Sequence, residues 1–136
     1  MGTNEVGLVT LRSSGLVLAD PEDDVRGLTA VDAEGETIGE IDDLVVDEGE
    51  RRVRFLVVAS GGFLGFGETK RLVPVDAVTA VEDEVHVEPS RETVHRTQEF
   101  DPELEPEPDF ESVYGQYGYA PFWAPGYVGP MYVRRR

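Results

Sequence analysis

From Pro21 to about Arg96 the apolar residues come in short bursts with the period of strands rather than of helices. The strongest burst, Arg52 to Ser60, reads Arg-Val-Arg-Phe-Leu-Val-Val-Ala-Ser. At period two it sets Val53, Phe55, Val57 and Ala59 on one face, and beyond Arg54 it sets Leu56 and Val58 on the other. A strand apolar on both faces belongs in the middle of a sheet. One face goes into the core and the other lies under a tail, a helix or a second subunit.

The remaining bursts predict strands on either side of it. Val25 to Val31 is the first, and Asp32 to Glu36 a turn whose Gly35 takes positive φ. Thr37 to Asp47 is the second, and its apolar positions change phase between Ile41 and Leu44, which predicts a bulge near Asp42 and Asp43. Asp47 to Glu50 turns the chain into the central strand. Thr69 to Val75, Val78 to Val81 and Val85 to Glu88 complete six strands, with Pro74 suited to an edge or a strand end. Ser90 caps a short helix running to Thr97. Two short apolar runs in residues 1–20 are broken by Arg12, Ser13 and Ser14, which predicts an edge strand or a docked arm. They match neither a secretory signal nor a membrane span, so a cytoplasmic protein is expected.

The loop Gly61-Gly62-Phe63-Leu64-Gly65-Phe66-Gly67 is rich in glycine but is not followed by Lys-Ser or Lys-Thr and opens no helix, so it lacks phosphate-loop geometry. Phe63, Leu64 and Phe66 read instead as apolar residues folded over the barrel mouth. Zero cysteines remove disulfides, thiolate chemistry and Cys-based metal sites. His86 and His95 are far apart in sequence, and the acidic turn at Asp42, Asp43, Asp47, Glu48 and Glu50 lacks the ligand register of a calcium loop. No serine or threonine sits in a recognisable catalytic motif. The expectation is a protein that is not an enzyme, with no catalytic, metal or cofactor site and no small-molecule substrate.

Charge narrows the partners. The net charge is −16, and residues 21–96 alone hold nineteen acids against eight bases. A surface that tracks phosphates needs a basic stripe, so nucleic acid is not an expected partner. Eleven of the twelve bases are arginine, with Lys70 the exception. Such an acid-rich, lysine-poor surface suits either a high-salt habitat or a GC-rich genome.

Two further segments follow. Residues 97–113 hold seven acids and Pro102, Pro106 and Pro108, the composition of an extended, self-repelling linker. Residues 114–136 collect Tyr114, Tyr117, Tyr119, Phe122, Trp123, Tyr127 and Tyr132 among glycines and prolines, with little helix or strand periodicity. Rings of this kind are built to lie against something: the chain's own barrel, a neighbouring copy, or a membrane interface, the last disfavoured by the acidic linker.

The residues also carry a family resemblance. Gly27-Leu28, the turn at Gly35, Ile38-Gly39-Glu40-Ile41-Asp42-Asp43, the valine-rich central strand, Gly61-Gly62-Phe63-Leu64-Gly65 and Leu72-Val73-Pro74-Val75 resemble a PRC-barrel domain over about Asp23 to Arg96. That family includes the barrel of photosynthetic reaction-centre H subunits and the C-terminal half of ribosome maturation factors. The resemblance implies a small six-stranded β-barrel, so the expected fold is all-β, an antiparallel barrel of this type followed by the short helix and the extended aromatic tail read from the sequence. The segments expected are an arm or edge strand at 1–20, the barrel at 21–96, a linker at 97–113 and the tail at 114–136. It implies binding without catalysis, to another copy or to another protein, and a homodimer is the expectation for this chain. The residues expected to make the contact, read from the glycine-rich loop and the aromatic tail themselves, are Phe63, Leu64, Phe66, Tyr114, Tyr117, Tyr119, Phe122, Trp123, Tyr127 and Tyr132. An accessory role in RNA processing or ribosome assembly, and a small ligand at the barrel mouth, are the alternatives.

Overall fold

A computed structural model of the chain describes residues 7–61, 67–100 and 109–127. In chain order the strands are β1 (Leu8–Thr10), β2 (Thr29–Val31), β3 (Thr37–Asp47), β4 (Val53–Ser60), β5 (Thr69–Pro74), β6 (Val78–Val81) and β7 (Val85–Val87). The helices are α1 (Leu11–Ser14), α2 (Arg91–His95) and α3 (Phe110–Tyr117). The strands form one seven-stranded sheet in the order β5-β4-β3-β2-β7-β6, with β1 paired to the far half of β3.

The all-β class and the interior position of β4 are as expected, and three details differ from a closed six-stranded antiparallel barrel. The described residues form seven strands, because the N-terminal arm adds β1 antiparallel to β3. The sheet is mixed, because β7 returns beside β2 in parallel while the other pairs are antiparallel. Among the described residues no ladder joins β5 to β6. Pro74 offers no N–H, and a 3-10 turn over Val75–Ala77 swings the chain away before β6 begins. The first strand is also shorter than predicted, since Gly27 at φ 92° turns the chain ahead of Thr29.

Two bulges shape β3 and β4. The pairing skips Asp42 between Ile41↔Val58 and Asp43↔Val57, the bulge that the phase change predicts. It also skips Arg54 between Val45↔Phe55 and Val46↔Val53. That second bulge reverses the expected facing of two residues: Val53 joins the core with Leu56 and Val58, and Arg54 turns out beside Phe55. β3 and β4 lie so close at one end that a Cβ on Gly39 would sit 2.3 Å from the Ala59 carbonyl oxygen, so only glycine fits.

The sheet wraps a core of aliphatic residues, among them Ile41, Leu44, Val46, Leu56, Val58, Val73 and Val85. Asp32 ties its end together, accepting from the backbone N–H groups of Glu34 and Glu36 in the predicted turn and of Arg91 at the start of α2. The Arg91 N–H, followed by the two turn amides, holds the Asp32 carboxyl below its ordinary range. Ser90 caps α2 as predicted, its hydroxyl accepting from Thr93 N–H. Among the described residues no helix is long and apolar enough to cross a membrane.

Candidate protein-binding face

The second apolar face of the sheet is where the structure departs most from the sequence reading. Val45, Phe55, Val57 and Leu72 point away from the aliphatic core, and with Phe100, Phe110 and Tyr114 they form a separate buried cluster. Its cover is α3 and the segment after it, residues 109–127, here called the strap. Residues 110–117 were expected to be extended and are helical, and α3 straddles the expected boundary between linker and tail.

Local chemistry accounts for the helix. The Asp109 carboxylate accepts from Ser112 N–H as an N-cap, and Gly118 takes the left-handed conformation at φ 80° just past the end. Phe110, Val113, Tyr114 and Tyr117 recur at the i, i+3, i+4, i+7 spacing of one helical stripe, and all four face the sheet. Eight residues are too few to hold a helix alone, so α3 depends on the face that it covers.

The rings stack in a continuous series. Phe55 lies 5.3 Å from Phe110 and 4.8 Å from Tyr114, centroid to centroid. Trp123 meets Tyr114 edge to face at 5.8 Å and Phe122 at 5.4 Å. Phe122 in turn covers Arg54, whose guanidinium carbon is 4.1 Å from the ring centroid. Arg54 is itself buried, and its Nε donates to Asp47 at 2.8 Å while Nη2 donates to Glu50 at 2.6 Å. The acidic turn before β4 is thus the counter-charge of a buried arginine.

Hydroxyl groups fasten the strap to the barrel around this stack. Tyr117 donates to the Leu72 carbonyl at 2.9 Å, Tyr119 to Glu88 at 2.6 Å and Tyr127 to Asp76 at 2.6 Å. Burial pushes all three phenols up from their ordinary range, and for Tyr119 and Tyr127 the accepting carboxylate pushes further in the same direction. Tyr114 is fully buried, with its hydroxyl and one oxygen of Asp76 lacking a well-formed hydrogen bond. Burial, then the charge of Asp76, raises the Tyr114 phenol as well.

The chain just before the linker also seals the sheet edge. Phe100 N–H donates to the Lys70 carbonyl at 2.7 Å, and Arg71 bridges to Glu99, so the outward carbonyls of β5 at Lys70 and Leu72 are both occupied. Pro74 lies two residues further along the same edge. A paired edge with a terminal proline does not template another strand.

Of the aromatic residues singled out from the sequence, six meet on this one face: Tyr114, Tyr117, Tyr119, Phe122, Trp123 and Tyr127. Phe63, Leu64, Phe66 and Tyr132 lie outside the described residues. Sequence reasoning missed Phe110, Arg54 and Asp76. The Asp109–Ser112 cap with the apolar spacing behind it would have found the first, and a lone arginine inside an apolar strand next to an acidic turn would have found the second.

Elsewhere, an open groove of about 1040 Å³ runs past Gly27, Gly39 and Gly61 at the far end of the sheet. Of its lining residues Arg12 pairs with Asp42, which also takes Lys70 from beside the groove, and Arg26 pairs with the neighbouring Asp24. Burial alone would raise Asp42, and Lys70 and Arg12 together outweigh it and hold the carboxyl low. His95 Nε2 lies 3.0 Å from the Ile38 carbonyl oxygen, while His86 pairs with Glu82, so the histidines are in separate settings. Among the described residues no group of three or more His, Cys, Asp or Glu is placed to hold a metal ion.

The sequence profile of the PRC-barrel domain matches residues 22–94, more than half of the chain and the span from just before β2 to α2. The strap lies beyond the match. No curated protein matches the chain.

Proposed function

This chain belongs to the PRC-barrel domain family, and from that premise we propose that it is a non-enzymatic binding and assembly module whose outer β3–β4–β5 face receives an aromatic helix. One observation carries the reading. The family domain ends before the strap begins, so its outer face is covered by a segment from beyond it, through contacts with the composition of a protein–protein interface. Phe, Tyr, Trp and Arg dominate that contact, the residue types enriched where two proteins meet, whereas the core on the opposite face is aliphatic. The mode is a helix laid in an apolar groove and read at i, i+3, i+4 and i+7.

A free peptide of residues 109–127 tests it against two full-length chains, one unaltered and one carrying Tyr114→Ala. The expected result is that the peptide binds, and binds more tightly to the variant, whose own strap competes less well. A peptide that binds neither chain would count against the reading.

A further inference from the structure

We infer that residues 97–100 and the strap form one latch, so that the segment covering the aromatic face also holds the outer edge of β5 shut, and the edge opens whenever the strap leaves. The inference rests on the binding-module reading above and names its regulation: another helix takes the face only by undoing the latch.

β5 is the last strand of the sheet order, an edge that pairs with extended chain if left bare. Two separate pieces cover it. Phe100 N–H donates to the Lys70 carbonyl at 2.7 Å, and Arg71 Nε donates to the Thr97 carbonyl at 3.3 Å. The next outward carbonyl, that of Leu72, is taken by the Tyr117 hydroxyl of α3 at 2.9 Å. Both pieces lie beyond residue 94, where the family match ends.

The two pieces are also joined to each other. Gln98 N–H donates to the Gln116 side chain at 3.1 Å, and the Thr97 and Tyr117 hydroxyls lie 3.4 Å apart. The seam between them is a cleft of only about 80 Å³, walled by Leu72, Phe100 and Val113. Phe100 is buried in the same cluster as Phe110 and Tyr114. Ordering four residues costs more than the few hydrogen bonds that residues 97–100 make to β5 return. The segment therefore depends on the strap for the apolar cover of Phe100, and it leaves when the strap leaves. Coupling of this kind is reciprocal, so whatever frees the edge also loosens the strap.

Hydrogen exchange at single amides of the full chain tests the latch. The Tyr119 N–H, bonded to the Tyr114 carbonyl, reads the strap, and the Phe100 N–H reads the edge. The Ile41 N–H, bonded to the Leu28 carbonyl, reads the barrel. Phe122→Ala is the first perturbation, because Phe122 stacks on Arg54 and Trp123, away from the junction. The expected result is that the Tyr119 and Phe100 amides exchange faster by the same factor, about tenfold, with Ile41 unchanged. Arg71→Ala, which acts from the edge, should accelerate the same two amides together by about threefold. Either amide responding without the other would overturn the latch, as would no response at Tyr119 or an equal response at Ile41. Binding of the free peptide of residues 109–127 is scored separately. If the peptide binds and the amides are uncoupled, the latch falls and the binding-module reading stands; coupled amides in a chain that binds no peptide would leave the latch and remove that reading.

Discussion

The two faces of β3 and β4 are built from different materials. On the inner face Ile41, Leu44, Val46, Leu56 and Val58 pack among other aliphatic residues, most of them supplied by strands of the same sheet. On the outer face Val45, Phe55 and Val57 meet rings that come from beyond the family domain. Branched aliphatic side chains interlock with few rotamers and give a core that is hard to open. Flat rings with polar tips cover area at low entropic cost and can be fastened or released through a few hydrogen bonds. The difference teaches that burial alone does not define the core: the inner face makes the fold, and the outer face makes a contact.

The comparison yields predictions that separate the faces. The largest effect belongs to the inner one. Leu56→Ala, at a fully buried site, lowers the unfolding free energy by about 4 kcal/mol. Loss of the strand signal in circular dichroism with denaturant measures it, and the barrel transition moves the whole distance.

Arg54→Ala comes next, at about 3 kcal/mol, because it leaves Asp47 buried without its cation and takes the support from under Phe122. Its effect falls on the strap. Trp123 is the only tryptophan, so its emission reads the outer face alone. That emission shifts to the exposed value at lower denaturant, while the strand signal moves less. An equal shift in both probes would merge the two faces into one core.

Alkaline titration sharpens the contrast further. Tyr114, Tyr117, Tyr119 and Tyr127 all have phenols raised above their ordinary range of about 10. A phenol raised in the docked state holds its proton more tightly there than when free. Docking is therefore fully supported below about pH 10 and is lost as the pH climbs through the raised values. Tyrosinate absorbance should show these four tyrosines ionising late in the full chain, together with release of Trp123. In a free peptide of residues 109–127 they titrate near the ordinary value.

The smallest effects concern single hydroxyls. Tyr127→Phe removes one partly buried hydrogen bond to Asp76 and weakens the strap by about 1 kcal/mol. Tyr114→Phe has the opposite sign, since that buried hydroxyl lacks a well-formed bond, and stabilises docking by about 1 kcal/mol. Trp123 emission against denaturant reads both.

The inner face was legible in the sequence, and the outer face only half so. The double-faced apolar character of β4 predicted a cover, and the phase change from Ile41 to Leu44 predicted the first bulge. The bulge at Arg54 was hidden because one polar residue in an alternating run fits either phase until its counter-charges at Asp47 and Glu50 are placed. The parallel return of β7 beside β2 depends on pairing across more than fifty residues, which no local pattern encodes. Helix α3 was masked by its neighbours. The prolines and acids of residues 101–108 dominate the composition there, and the Asp109 cap, the stripe from Phe110 to Tyr117 and Gly118 are each short signals at the edge of a biased segment.

One measurement reaches the central claim most directly: denaturant unfolding of the unaltered full chain, followed on the same samples by Trp123 emission and by the strand signal in circular dichroism. If the outer face is a contact and the inner face the fold, emission changes first, with its own midpoint, and the strand signal follows at higher denaturant. Coincident curves would contradict the account, because the strap and barrel would then form a single cooperative core.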